Sequence, residues 1–133
     1  MPPSAVPPAR PTVAELFGPG RPPRDTKEKL LFRALGLFYE HGFHEVGLDR
    51  ILAETGVTKT TFYNHFESRD HLIREAVTLR NAWEKDVFAR EVQRRAGFDP
   101  RKMLLAVFDV LDDLFTRPDY RGCLFLTATT EFP

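Results

Sequence analysis

One short stretch concentrates the side chains of this chain that could do chemistry: Lys59, Thr60, Thr61, Tyr63, Asn64 and His65. On a helix they share the face opposite Phe62 and Phe66, which stand four residues apart. The pattern is a display of hydrogen-bonding groups with one cation, backed by an aromatic anchor. Lysine reaches guanine O6 and N7 or a phosphate, threonine offers a hydroxyl to phosphate and a methyl to thymine, and asparagine pairs bidentately with adenine. The plain alternative for Lys59 is a solvated surface lysine. Catalysis does not fit, because helical spacing fixes no nucleophile or carboxylate beside Tyr63 or His65. No Gly-rich phosphate loop, Ser-His-Asp order or paired-carboxylate motif occurs elsewhere, so no catalytic residue and no enzyme is expected. His41, His44, His71 and Cys123 lack the spacing of a Cys-x-x-Cys zinc site, and no metal or other cofactor is expected.

Two short helices must position that face, and they fall between Gly47 and Arg69. Leu48, Ile51 and Leu52 lie on one side of the first, and Phe62 and Phe66 on one side of the second. Glu54-Thr55-Gly56-Val57 joins them, with Gly56 supplying the positive φ of a sharp turn. Thr58 stands where an N-cap hydroxyl satisfies the free amides of the next helix. A short helix anchored by two aromatics and showing a polar face suits the second helix of a helix-turn-helix, the one that enters the major groove.

The run ILAETGVTKTTFYNHFESRDHLI closely resembles the DNA-binding signature of the TetR family of bacterial transcriptional regulators. Gly-Val-Thr, Phe-Tyr-x-His-Phe and Ser-Arg-x-x-Leu recur together in order, and the resemblance extends over residues 26–133. It implies an all-α fold: a three-helix DNA-binding head, a long linking helix and a helical ligand-binding and dimerisation domain. It also implies double-stranded DNA as partner, with Thr58, Lys59, Thr60, Thr61, Tyr63, Asn64, His65 and Arg69 at the interface. Tyr63 is read as a phosphate contact, the commonest use of a tyrosine hydroxyl there. His65 either faces the backbone or packs at the edge of the head. Asn64 is a specificity candidate. Arg69 stands where the family usually has lysine and is expected to hold a phosphate. Gly47 stands where the family often has a capping hydroxyl, which weakens the cap of the first motif helix.

Composition sets no basic footprint. The 133 residues carry 19 Lys+Arg against 19 Asp+Glu. Within residues 24–70, Arg24, Lys27, Lys29, Arg33, Arg50, Lys59 and Arg69 face a slightly larger set of acids. DNA affinity must therefore come from where charges sit, not from their sum. The single Cys123 cannot form an intramolecular disulfide, which suits a reducing cytoplasm. No apolar run is long enough for a membrane span and no signal peptide opens the chain, so a cytoplasmic, nucleoid-associated protein is expected.

In order, residues 1–24 hold eight of the eleven prolines, a pattern of disordered or extended chain. This arm either reaches a neighbouring DNA groove or is a solvated tail, and Val13, Leu16 and Phe17 form a small apolar cluster within it. Residues 25–70 form the head. Its first helix runs from Asp25, which pairs with Glu28 as a capping box, to His41 before Gly42. Lys27, near that helix's start, could touch a phosphate. Phe43 and Val46 are placed to close the core against Ile51 and Phe62. Residues 71–133 open the second domain. Ser68 caps a helix from about Arg69 to Arg95, stopped by Gly97, and Asp99-Pro100 starts another that ends near Thr116. A further apolar stretch begins at Gly122.

Regulators of the family continue with further helices that complete a pocket and pair two subunits, so the chain reads as C-terminally truncated. Trp83, Phe88, Met103 and Phe108 either line an effector cavity, as the resemblance suggests, or are core. The leading expectation is a ligand-responsive repressor that binds a palindromic operator as a homodimer in its intact form, with an unknown small-molecule effector. The alternative is a truncated helical interaction module that heterodimerises with a related regulator through its exposed apolar stripes.

Overall fold

The computed structural model describes residues 11–132, so Pro2, Pro3, Pro7, Pro8 and Arg10 of the proline-rich segment lie outside the described residues. The described residues form helices and no strand: α1 (Val13–Leu16), α2 (Thr26–His41), α3 (Leu48–Thr55), α4 (Lys59–His65), α5 (Arg69–Ala96), α6 (Pro100–Phe115) and α7 (Leu124–Glu131).

Local capping chemistry sets the helix ends. Asp25 accepts from the Glu28 amide at 2.8 Å. The Glu28 carboxylate does not return to Asp25; it binds the Arg21 guanidinium at 2.7 and 2.8 Å and the Arg24 amide instead. Ser68 caps α5 through the His71 amide, and Asp99 caps α6 through the Arg101 and Lys102 amides with Pro100 in the first turn. Gly97 closes α5 at φ 61°.

Leu30, Leu31, Ala34, Leu35, Leu37 and Phe38 turn one side of α2 into a buried stripe. Phe43, Val46, Ile51, Phe62 and Phe66 complete that core, as their spacing predicts, and Leu72, Ile73 and Ala76 of α5 seal it. The boundary drawn at residue 70 thus falls inside α5, whose first turns belong to the head's core. Leu124 of α7 reaches the same cluster. A second, smaller cluster joins Val92 and Ala96 of α5 to Ala106 and Val110 of α6.

Residues 11–24 depart from the expected disordered arm. Thr12 and Glu15 make a reciprocal capping box around α1. Val13 and Phe17 are 1% and 3% exposed and pack against Leu114. The Val13 amide donates to Asp119 Oδ2 at 2.8 Å, and Arg117 Nε donates to the Pro11 carbonyl at 2.8 Å. Proline content predicts the absence of long helix here. It does not forbid a single turn whose apolar side chains find a distant partner.

Candidate nucleic-acid interface

The α3–α4 unit is built from its turn outward. Ile51 and Leu52 are buried, and Thr55 is buried with its hydroxyl donating to the Ile51 carbonyl at 2.8 Å. Gly56 ends α3 at φ 71°, ψ 13°, donating to the Leu52 carbonyl at 2.9 Å. An added Cβ would meet nothing within 4 Å there, so the position requires glycine for its backbone angle alone. Thr58 then caps α4, accepting from the Thr61 amide at 3.2 Å, while its hydroxyl donates to that of Thr61 at 3.1 Å.

Phe62 and Phe66 are 0% and 1% exposed, with ring centroids 5.4 Å apart. Burying one such ring contributes about 1.5–3 kcal/mol, enough to seat a helix too short to stand alone. The opposite side of α4 is left to solvent. Lys59, Thr60, Tyr63 and Asn64 are exposed, and Thr61 and His65 are half-buried. Tyr63 packs edge-on against Phe62 at 5.1 Å, which orients a ring that is otherwise 55% exposed. Lys59 Nζ lies 3.8 Å from Asp49, with both side chains well exposed, a pair too weak to hold the lysine back from a better partner. Gly47 gives α3 no side-chain cap, as its type predicts.

Four other cations of the head, Arg69, Lys27, Arg33 and Arg50, are engaged within the protein. Arg69, placed by sequence among the phosphate contacts, instead sends Nε to the Val46 carbonyl at 3.1 Å and Nη2 to the Val46 and Phe43 carbonyls. Its guanidinium also lies 5.9 Å from the Phe38 ring centroid. A planar, forked donor suits two converging carbonyls as well as it suits a phosphate, and the α2–α3 loop supplies them. Lys27 is engaged too, 3.2 Å from Glu75 and over the Phe66 ring. Arg33 and Arg50 both face Glu54, at 2.6 and 3.6 Å.

Glu131 braces the α2–α3 loop from the other side, accepting from the Phe43 and His44 amides at 2.8 and 3.0 Å. Burial pushes its carboxyl up, but those two amides, with His44 and Arg69 nearby, outweigh that and hold it below the ordinary range. Phe132 packs edge-on against Phe43 and at a tilt against His44. The three histidines weighed as metal ligands fall into separate contacts: His41 with Arg50, His44 with Glu131 and His71 with the Glu67 amide.

The four residues weighed for an effector pocket do not converge. Trp83 packs edge-on against Phe32 of the head at 5.2 Å, Phe88 and Met103 flank the α5–α6 cluster, and Phe108 is 65% exposed. A residue that sequence reading passed over is Arg80, buried on the apolar stripe of α5. Ile73, Ala76, Arg80 and Trp83 follow one another at helical spacing, which is the signal that would have found it.

Residues 27–76, which contain this unit, match bacterial regulatory proteins of the tetR family. Over 103 residues the chain is 40% identical to the transcriptional activator FasR of Mycolicibacterium smegmatis, covering 77% of this chain and 46% of that one. It is 40% identical over 55 residues to the HTH-type transcriptional regulator YxaF of Bacillus subtilis, covering 41% of this chain and 29% of that one. A crystal structure of a TetR-family transcriptional regulator from Streptomyces coelicolor superposes with a TM-score of 0.66 at 36% identity, covering 79% of this chain and 55% of that one. The chain thus spans about half the length, or less, of the relatives it matches. Residues 27–76 carry a tetR-family head, and the capped α3–α4 unit, the all-helical described residues and these likenesses together support a TetR-family transcriptional regulator.

Proposed function

We propose that the head binds double-stranded DNA in a sequence-dependent way and that the protein regulates transcription by doing so. The observation that carries this reading is the two-sided character of α4. Phe62 is locked in the core while Lys59, Thr60, Tyr63 and Asn64 stand in solvent beside a capped N-terminus. In the major groove that face offers Lys59 to guanine or phosphate, Thr60 and Tyr63 to phosphate, and Asn64 to adenine. Thr58 and Thr61 chiefly hold the start of α4 in shape, and His65 sits at its rim. Arg69 acts by fixing the α2–α3 loop.

The intact regulator pairs two heads, one α4 per half-site of a palindromic operator. A small-molecule effector that favours a different head spacing lowers operator affinity, a coupling between two sites through two global states. Whether occupancy represses, as the resemblance implies, or activates, as in the name of the FasR relative, is read by a promoter–reporter assay with and without the protein.

The direct test is fluorescence anisotropy of the chain on duplex DNA from its own upstream region, with a scrambled duplex as control, across a salt series. The expected result is selective binding that weakens as salt rises, since each neutralised phosphate releases counterions. Equal affinity for both duplexes, or affinity indifferent to salt and unharmed by Tyr63→Ala, overturns the reading.

One observation favours a second reading, the helical interaction module. Leu104, Leu105, Phe108 and Phe115 on α6 are each more than half exposed. Monomer at high concentration, with no capture of a full-length relative, removes that alternative.

A further inference from the structure

A cavity of about 220 Å³ lies where the N-terminal arm, α2, α5 and the segment between α6 and α7 meet. Phe17, Phe32, Tyr39 and Trp83 line it, and Arg80 stands among them. Arg80 is 6% exposed, and the only other polar residue buried to this degree among the described residues is Thr55, which has its carbonyl partner. The Arg80 guanidinium lies 4.9 Å from the Phe17 ring centroid and 5.4 Å from that of Tyr39. Aromatic faces stabilise its charge but leave the donors in its own plane unbonded. Its buried Nε lacks a well-formed hydrogen bond, and Glu84 Oε2, 3.5 Å away, is its ion-pair partner. A desolvated guanidinium with an unmet donor is costly to hold and rewards an anion that meets it.

The remaining charged groups on the wall do not meet that need. Asp119 accepts from the Val13 amide. Glu40 is largely in solvent, 3.5 Å from His41 Nε2. Arg121 is exposed, and its backbone amide donates to the Tyr39 hydroxyl at 2.7 Å. Tyr39 accepts there, which leaves its own O–H as a donor, and burial raises its pKa.

We propose that this cavity binds a small aromatic monocarboxylate, its carboxylate on Arg80 and its ring among Phe17, Phe32, Tyr39 and Trp83. An apolar cavity of about 150 Å³ takes benzene, so the space here suits a benzene ring bearing one carboxylate. A phosphate fits less well, since its second charge would face Asp119 and Glu40 with one buried cation to offset it. The site is independent of the DNA-binding reading. It includes Trp83 but none of Phe88, Met103 and Phe108, and the arm supplies one wall.

Trp83 is the chain's single tryptophan, so its emission reports on the cavity. The full chain is titrated with benzoate, and with benzamide as the neutral molecule of the same shape. The expected result is a saturable change with benzoate and binding roughly tenfold to a hundredfold weaker with benzamide, the factor for losing a hydrogen bond to a charged group. Arg80→Met is expected to weaken benzoate binding by a similar factor while circular dichroism stays helical. If that variant loses helicity, the benzoate–benzamide difference on the unaltered protein and a several-fold loss in Tyr39→Phe decide the question. A change that is merely linear in benzoate, equal binding of the two probes, or undiminished binding by a folded Arg80→Met overturns the proposal.

Discussion

Replacing Arg69 by methionine separates two roles for that cation, because it keeps the apolar stem and removes the guanidinium. In the structure the guanidinium meets the carbonyls of Phe43 and Val46, residues that are both 0% exposed. A hydrogen bond to a charged group contributes about 1.5–3 kcal/mol, and an acceptor left buried without a partner costs about the same order. Both carbonyls are served by one side chain, so their losses are coupled and do not add in full. The expected destabilisation of Arg69→Met is therefore about 2–3 kcal/mol, a large part of the roughly 5–15 kcal/mol that holds a domain together. In Arg69→Lys a single ammonium cannot span both carbonyls as a fork does, and about half of that loss remains.

Urea unfolding followed by circular dichroism gives the stabilities, and anisotropy in the absence of urea gives the DNA affinity of the folded protein. The structure predicts a lower unfolding midpoint with an unchanged m-value, and a salt slope in DNA binding equal to that of the parent chain. A phosphate role predicts the reverse: stability within about 0.5 kcal/mol, as for an exposed charge, and a slope reduced by about 0.9 for each lost contact. That second outcome would refute the placement of Arg69 as a brace.

Three further outcomes are expected. Gly56→Ala places a side chain at φ 71° with open space around it, so it costs about 1–2 kcal/mol by backbone angle alone, and Gly56→Asn costs less in the same urea assay. The Glu28 carboxyl is held at about 2, first by its hydrogen bond to Arg21 and then by the Arg24 amide. A pKa below the ordinary value stabilises the fold with the group ionised, so this link is intact above the usual carboxylate range and is lost as pH falls through about 2. Carboxyl-carbon NMR of Glu28 measures it, and a midpoint near 4.5 would sink the assignment. Tyr63→Phe leaves stability within about 0.5 kcal/mol because the ring is more than half exposed, yet weakens binding to the upstream duplex about fivefold through the lost hydroxyl; unchanged affinity would remove Tyr63 from the interface.

What could be read from the sequence was what local rules decide. Asp25, Gly42, Gly56, Thr58, Ser68, Gly97 and Asp99-Pro100 mark helix ends through contacts within a few residues, and each stands at the end it predicted. What escaped depends on partners far along the chain. The arm's apolar turn looked isolated because the groups that hold it, Asp119 and Arg117, lie 106 residues from Val13 and Pro11. Arg69 looked like any cation after a recognition helix, because its carbonyl partners sit 23 and 26 residues upstream. The aromatic residues of α5 and α6 carry no mark of which cluster each joins. That is why Trp83 and Phe108, both at helical spacing, end in different environments.

The same distribution of partners bears on how a head with slightly more acids than bases could favour a polyanion. Glu28 is paired with Arg21, Glu54 with Arg33 and Arg50, and Glu75 with Lys27, none of these groups being on α4 itself. These pairs hold arm, α2, α3 and α5 together while removing unpaired negative charge from the head. On α4 itself Lys59 is the one cation and there is no acid. Its neighbour Asp49 is 89% exposed and 3.8 Å away, a contact that water already screens. Net charge is a poor measure for such a surface, because what faces a groove is the charge on α4, where Lys59 stands without an acid on the same helix. A front with so few cations also makes a shallow salt slope for one head. Two heads held on one duplex double that slope, so the slope measured for the chain reads directly whether one head or two engage the operator.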